Sequence, residues 1–276
     1  MSHANGDDIR EDAVKGEESG AGSLGGLRVA VTGGTSGLGL ALVRELVGRG
    51  ARAAFVARTL ERVEEVAREN AGAHGIVGDV SAKDDIYPVA VQVLGELGGL
   101  DVLINNASDL GPVPLAMLSD TECEDLERAF QTNVFGPFRL TKALMGALAA
   151  SAREGRGAVV LNVSSDAAVN AYAGWGAYGA SKAALRHMTR VWGEEHAADG
   201  VRFLSIDPGD MDTPMHAAAD PDADPTTLKR PETAARELVE AIIAALPEDV
   251  APPATRAPEE FEGARVEEAT PEGANA

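Results

Sequence analysis

Short apolar runs alternate along this chain with longer stretches of helical period. Residues 27–32 (LRVAVT) are an apolar run that stops at two glycines, which predicts a buried strand. Residues 36–49 follow with apolar positions at helical spacing. The same pairing recurs, with strands over 51–57, 74–77, 101–105, 158–163 and 201–206 and helices over 60–70, 82–97, 119–152, 176–198 and 231–246. Pro88 is a weak point in the third helix and Gly136-Pro137 a kink in the long fourth one, because proline offers no N–H to the helical ladder. Pro231 suits the first turn of the last helix. Near-continuous apolar strands separated by helices predict an α/β fold, a doubly wound parallel sheet of six to seven strands with helices on both faces. No apolar run reaches the 18 or more residues of a membrane span.

The two ends depart from this pattern. Residues 1–24 are rich in Gly, Ser, Asp and Glu and read as a disordered acidic tail. Residues 25–247 read as one domain, with no internal repeat and no second domain. Residues 248–276 are rich in Pro and Glu, and within them 261–269 (FEGARVEEA) reads equally as a short edge strand or as tail. The net charge is −20, and about half of it lies in these tails, since residues 1–24 carry six acids and two bases and residues 247–276 eight acids and two bases. Such a charge argues against a nucleic-acid or anionic-membrane partner, and a solvated, solubilising surface is the simpler reading. Cys123 is the only cysteine and cannot form an internal disulfide, and residues 1–18 contain no apolar leader segment. A reducing, cytoplasmic setting is therefore expected.

The chemistry concentrates in residues 165–182. Tyr178 and Lys182 are four apart and share one face of a predicted helix. A lysine ammonium beside a phenol favours the phenolate, so the pair is expected to bring the tyrosine below its usual pKa of about 10. A phenol tuned in this way passes a proton to a carbonyl oxygen or takes one from an alcohol. Ser165 could hold the same oxygen. A second signal is residues 32–39 (TGGTSGLG), placed where the first strand turns into the first helix. Glycine there lets the backbone approach a pyrophosphate seated on a helix N-terminus. The spacing Gly-x-x-x-Gly-x-Gly is not the common Gly-x-Gly-x-x-Gly fingerprint, and no Gly-Lys-Ser/Thr follows. The second strand ends Val56-Ala57-Arg58, without the acid that holds an NAD ribose about 20 residues past the glycines. Arg58 can instead pair with a 2′-phosphate, which favours NADP(H) over NAD(H).

Taken in order, these motifs resemble the short-chain dehydrogenase/reductase family in its single-domain branch, over residues 27–246. The resemblance implies a Rossmann-type fold. It implies a dinucleotide site formed by Gly33, Thr35, Ser36, Gly37, Leu38 and Gly39 in the Thr-Gly-x-x-x-Gly-x-Gly turn, with Arg58 at the ribose and Asp79 and Val80 at the adenine. Asn105 and Ala107 stand in an Asn-Asn-Ala motif in which Ser108 replaces the family's glycine, and Pro208, Gly209, Met211 and Thr213 lie where the nicotinamide would be held. It further implies a catalytic set of Asn133, Ser165, Tyr178 and Lys182, with Ser164 a worse-spaced alternative to Ser165. In that set Tyr178 moves the proton, Ser165 orients the oxygen and Lys182 tunes Tyr178 and bonds the nicotinamide ribose. Asn133 fixes a water that relays protons from Lys182. No metal is expected. Single residues also admit plainer roles: Asp79 a loop cap, Asn133 a satisfied helix asparagine, Thr213 a turn residue, Arg58 a solvated helix-start arginine.

The function implied is an NAD(P)-dependent alcohol dehydrogenase or carbonyl reductase acting on a small molecule. Its pocket would draw on Leu110, Val113, Val169, Tyr172, Trp175, Met211, Met215 and His216. The alternative is a non-catalytic dinucleotide-binding regulator on the same fold, which typically lacks Tyr or Lys of the set. An epimerase or dehydratase would normally carry a larger C-terminal domain. The family also implies a homo-oligomer, with a dimer through the two long helices favoured, because the family's usual closing strand and ending are not evident here.

Overall fold

The computed structural model describes residues 24–247 and 266–268. The acidic N-terminal tail and most of the C-terminal tail lie outside the described residues. In chain order the elements are β1 (Arg28–Thr32), α1 (Gly37–Gly48), β2 (Arg52–Ala57), α2 (Leu60–Glu69), β3 (Ala73–Val77), α3 (Ile86–Leu97), β4 (Val102–Asn105), α4 (Cys123–Phe130), α5 (Gly136–Arg153), β5 (Ala158–Val163), α6 (Gly176–His196), β6 (Val201–Ile206), α7 (Pro214–Ala219), α8 (Pro231–Ala245) and β7 (Val266–Glu268).

The sheet order is β3-β2-β1-β4-β5-β6-β7. The first six strands are parallel, and β7 pairs antiparallel with β6 through Leu204↔Glu268 and Ile206↔Val266. The parallel sheet is thus six-stranded, and the seventh strand is an antiparallel addition. Alternate residues of each strand serve opposite layers. Val29, Val31, Val102, Ile104, Val159 and Leu161 pack with α1 and α8, while Ala30, Leu103 and Val160 pack with α3 and α5. Because both faces are covered, the inner strands show mainly apolar runs rather than alternation.

The predicted helix over 119–152 is broken in the structure. A 3-10 turn at Leu118–Asp120 precedes α4, and a single π turn, Gln131–Phe135, joins α4 to α5. Pro137 has no N–H to donate to the carbonyl of Asn133, four residues back, and the π turn absorbs that mismatch. Gly136 lets this turn press on the next loop, since a Cβ there would lie 2.9 Å from the Val80 carbonyl oxygen. Pro88 causes no break, because it falls in the first turn of α3, where N–H groups have no intrahelical partner.

The strand order reverses direction between β1 and β4, so a crevice opens at their C-terminal ends. The opposite end of the sheet is closed by a buried carboxylate. Asp101 accepts from the backbone N–H of Arg28 at 2.8 Å, from the Arg28 guanidinium at 2.7 Å, from Arg156 at 2.9 Å and from the Ser151 hydroxyl. Burial alone would raise the Asp101 carboxyl, but the bonds from Arg156, Arg28 and Ser151 outweigh it and hold it at about 2.

Candidate active site

A cleft of about 580 Å³ occupies the crevice at the strand C-termini. One wall is the glycine turn between β1 and α1. Gly33 has φ +72°, a left-handed conformation that favours glycine. Gly39 has no room for a side chain, because a Cβ would collide with the Gly33 carbonyl oxygen. Ser36 sits at the N-cap in extended conformation, and its side chain makes no capping bond. The first N–H groups of α1 are therefore not consumed by a side-chain cap and face the cleft with the positive end of the helix dipole. Three residues brace the turn. Thr32 Oγ1 accepts from the N–H groups of Asn106 and Ala107, both at 3.0 Å, Asn106 Nδ2 donates to the Thr32 carbonyl at 2.9 Å, and Arg62 reaches the Thr35 carbonyl at 3.3 Å.

At the far end, Arg58 is exposed at the tip of β2 and lines the cleft, with no ion pair to the described residues. Asp79 and Val80 line the same end. Asp79 also caps its own turn, its Oδ1 accepting from the Ser81 N–H at 2.9 Å and the Ser81 hydroxyl at 2.7 Å.

At the near end Ser165, Tyr178 and Lys182 converge. Tyr178 and Lys182 lie one turn apart in α6, and both are buried. Lys182 Nζ donates to the Val163 carbonyl at 2.8 Å and lies 5.5 Å from the centre of the Tyr178 ring. Burial pushes the Tyr178 phenol up to about 12, opposed by the hydroxyls of Ser165 and Ser108. Burial also brings the Lys182 ammonium down to about 8, opposed by Asp207. The phenol is thus not below its ordinary value as expected from the sequence. Lost hydration is the largest cause, and the Val163 carbonyl takes one of the three N–H donors of Lys182. Ser165 accepts from the Ala167 N–H at 3.2 Å, which sets its rotamer at the end of β5. Ser164 also lines the cleft, but it is nearly buried and its N–H pairs with the Ile206 carbonyl.

Two residues expected at the site do not line the cleft. Asn105 is buried in the sheet, donating to Asn162 Oδ1 at 2.8 Å and Thr141 Oγ1 at 3.2 Å, so it pins β4 to β5 and α5. Asn133 is fully buried, and all four of its side-chain positions are filled by protein. Nδ2 donates to the Asp109 carbonyl at 2.7 Å and to Ser181 Oγ at 2.8 Å, while Oδ1 accepts from the Asp109 N–H at 2.8 Å and Ser108 Oγ at 3.1 Å. Its side-chain amide is therefore fully engaged by the protein. It ties the loop after β4 to α6, where Ser181 in turn donates to the Tyr178 carbonyl at 2.7 Å.

The remaining wall is the loop after β6. Pro208, Gly209, Met211 and Thr213 all line the cleft, and Lys229 Nζ holds the Pro208 carbonyl at 2.9 Å. Thr213 Oγ1 caps α7 by accepting from the His216 N–H at 3.2 Å, and a Cβ on Gly37 would sit 3.2 Å from its methyl group. The short helix α7 is thereby seated against the glycine turn. Leu110, Tyr172, Trp175, Met215 and His216 line the cleft near Tyr178, and the Trp175 ring meets Tyr178 edge-on with centres 5.7 Å apart. Val113 lines an adjoining recess of about 410 Å³, and Val169 lines neither. Asn106, Arg62 and Asp207 were not singled out from the sequence. Asn106 adjoins the noted Asn105, but only the fold shows which of the pair faces the glycines. Burial raises the Asp207 carboxyl, and Asp166 and Asp210 raise it further.

Among the described residues no helix is long and apolar enough to cross a membrane. Comparison with known proteins agrees with the geometry. The chain is 35% identical over 245 residues to an uncharacterised oxidoreductase of Mycobacterium tuberculosis, covering 84% of this chain and 65% of that protein. The chain thus spans less than two thirds of that relative. Among solved structures it resembles a 3-ketoacyl-(acyl-carrier-protein) reductase from Brucella melitensis complexed with NADH (TM-score 0.74, 26% identity, 83% of this chain and 94% of that one). It also resembles an alcohol dehydrogenase from Thermococcus sibiricus complexed with 5-hydroxy-NADP (TM-score 0.70, 28% identity, 81% and 93%). The family model described as short chain dehydrogenase matches residues 28–224, the span that holds the glycine turn, Ser165, Tyr178 and Lys182, and the chain belongs to that family of oxidoreductases.

Proposed function

We propose that this protein is an NAD(P)-dependent carbonyl reductase or alcohol dehydrogenase for a small molecule, with NADP(H) preferred. The observation that carries the reading is the convergence of Ser165, Tyr178 and Lys182 on one cleft with an uncapped helix N-terminus at its other wall. The residues fit a dinucleotide. The glycine turn leaves a cradle that a Cβ at Gly39 would fill, and the first N–H groups of α1 suit a pyrophosphate. Residues 33 and 35–39 would hold the pyrophosphate, Arg58 the ribose phosphate, Asp79 and Val80 the adenine, and Ala107, Pro208, Gly209, Met211 and Thr213 the nicotinamide end. When bound, the dinucleotide supplies or accepts the hydride.

The chain's own residues handle the proton and the oxygen. With its phenol well above neutral, Tyr178 is protonated at pH 7 and is ready to donate to a carbonyl oxygen. Ser165 orients that oxygen. Lys182 is a cation held in a buried site, where its charge counts for more than in water and favours the phenolate that proton donation leaves behind.

The neighbours are complexed with NADH in one case and an NADP analogue in another, so the preference rests on Arg58. Arg58→Asp replaces a phosphate partner by a charge that repels it and can accept from a ribose hydroxyl. It should weaken NADPH binding at least tenfold and improve NADH binding, read by quenching of tryptophan fluorescence. Unchanged selectivity would remove Arg58 from the phosphate site. A panel of carbonyls and alcohols, run with both cofactors and followed by nicotinamide absorbance, tests the activity. Cofactor binding with no turnover across the panel would favour a non-catalytic dinucleotide-binding protein.

A further inference from the structure

The end of the cleft that holds Ser165 and Tyr178 carries a charge that the proposed mechanism does not use. Its lining includes the carboxyl groups of Asp109, Asp166, Asp207, Asp210 and Asp220. Among the described residues, Lys182 is the one lysine or arginine that lines this end, since Arg58 stands at the other. Two of the carboxyl groups serve their own loops. Asp109 accepts from the Gly111 N–H at 2.8 Å and pairs with Arg128 at 3.4 Å, and Asp207 accepts from the Gly209 N–H at 2.9 Å. Asp166 is different. It is exposed on the cleft directly after Ser165, with Oδ1 accepting from the Ser165 hydroxyl at 3.3 Å and Oδ2 from the Tyr172 hydroxyl at 2.7 Å. Both donors are neutral, so neither balances its charge.

The Tyr178 hydroxyl opens on the same end of the cleft. Its side chain is only 8% exposed, and the hydroxyl makes no hydrogen bond to the described residues, so it is left for a ligand oxygen. We propose that the ligand is an amino ketone or the matching amino alcohol, with its ammonium one or two bonds from the reacting carbon and held by Asp166. This inference rests on the reading of the cleft as a hydride-transfer site and adds the substrate class to it.

The spacing follows from Ser165. A carbonyl oxygen bonded to Ser165 Oγ at about 2.8 Å lies no more than about 6 Å from Asp166 Oδ1, because Oγ and Oδ1 are 3.3 Å apart. An ammonium on the carbon beside the carbonyl, or one carbon further, bridges that gap and donates to Asp166 while the oxygen stays with Ser165 and Tyr178. A carboxylate accepts at about four positions, and Ser165 and Tyr172 occupy two of them. The new bond joins two ions and is about twice as strong as a neutral one. It also frees a donor. The single proton of the Ser165 hydroxyl is directed at Asp166 Oδ1, and an ammonium that takes its place there leaves that proton for the substrate oxygen.

The remaining charges favour the same class of substrate. Asp166 after β5 faces Asp207 and Asp210 after β6, and Asp166 and Asp210 both oppose the ionisation of Asp207. A cleft lined by one sign of charge focuses its field, drawing a cation and repelling an anion. Lys182 is a single opposing charge, buried with its Nζ on the Val163 carbonyl. A carboxylate or phosphate placed beside the reacting carbon would therefore meet Asp166 with no free cation to receive it.

The test uses a carbonyl compound found in the panel, prepared in three matched forms with an aminomethyl, a hydroxymethyl or a carboxylate group on the carbonyl carbon. The kcat/KM of each form is read with the reduced cofactor at pH 7. In the wild type the aminomethyl form should exceed the hydroxymethyl form at least about tenfold, and the carboxylate form should fall below both. Asp166→Asn should lower the ratio of aminomethyl to hydroxymethyl form about tenfold, and Asp166→Lys should bring the carboxylate form above the aminomethyl form. Dinucleotide binding by fluorescence and the thermal midpoint report that each variant is folded. A wild type with no preference for the aminomethyl form would overturn the proposal without recourse to any variant. A preference that survives Asp166→Asn undiminished would overturn the role of Asp166. If the wild type binds the dinucleotide but reduces none of the three forms and no carbonyl of the panel, the catalytic reading itself fails, an outcome separate from either of these.

Discussion

Tyr178→Phe is expected to lower turnover by at least about a hundredfold while leaving dinucleotide affinity and the thermal midpoint near the wild-type values. The substitution removes one oxygen from a buried ring. The ring itself is held by Leu110, Ala167 and Trp175, and its edge contact with Trp175 does not need the hydroxyl. The Tyr178 main chain is held by Ser181, which phenylalanine does not disturb. Phenylalanine therefore keeps the packing and loses only the proton. Ser165 and Ser108 cannot substitute, since each has a hydroxyl far too weakly acidic to act at neutral pH. Stopped assays and fluorescence titration of the same preparation check both halves. A variant that retains full turnover would show that the proton comes from elsewhere, and one that loses cofactor binding would make Tyr178 a binding residue first.

Asp101→Ala should destabilise the protein by about 3–5 kcal/mol, the cost of removing one partner from a buried ion pair. The carboxylate is fully buried and joins β1, the loop after α5 and the end of α5 through Arg28, Arg156 and Ser151. Without it Arg28, with a side chain only 15% exposed, keeps a charge that water reaches poorly, while Arg156, at 37%, can turn outward. The pH dependence has a definite sign. The Asp101 carboxyl lies at about 2 in the folded protein and near about 3.9 in an unfolded chain. The folded state therefore binds its proton less tightly, and its contribution is present above pH about 4 and lost as pH falls from there toward 2. That contribution is roughly 2–3 kcal/mol. Chemical denaturation at pH 7 and pH 3 should show a narrower gap between variant and wild type at the lower pH. An equal gap at both would mean that the ionised form is not what stabilises the sheet end. Because this cluster lies at the opposite end of the sheet from the cleft, the folded variant should bind dinucleotide normally.

These two predictions also show where the sequence is informative and where it is silent. Strands covered on both faces are apolar at most positions, so β1, β2, β4, β5 and β6 appear as mainly apolar runs and their order with the helices follows. Tyr178 and Lys182 are legible because a helix converts a spacing of four into a shared face. Asp101 is not, since its partners at positions 28, 151 and 156 are distant in the chain and only the sheet brings them together. Asn133 was singled out, but the partners of its side chain were not legible. The π turn ahead of Pro137 places its amide inside the fold, where Asp109, Ser108 and Ser181 fill it. The burial that raises the Tyr178 phenol was not legible either, since it depends on α6 lying against the sheet. Helix α7, at six residues and with three consecutive alanines, is too short to show a period.

The most direct test of the account follows the hydride itself. NADPH carrying deuterium at the transferable position of its nicotinamide is incubated in ordinary water with the protein and a carbonyl that it reduces, and the alcohol is examined by mass spectrometry and NMR. The account predicts one deuterium on the carbinol carbon and a solvent-derived proton on the oxygen, with product formed at least about a hundredfold more slowly by Tyr178→Phe. Product without deuterium on that carbon, or equal product from the Tyr178→Phe variant, would contradict it.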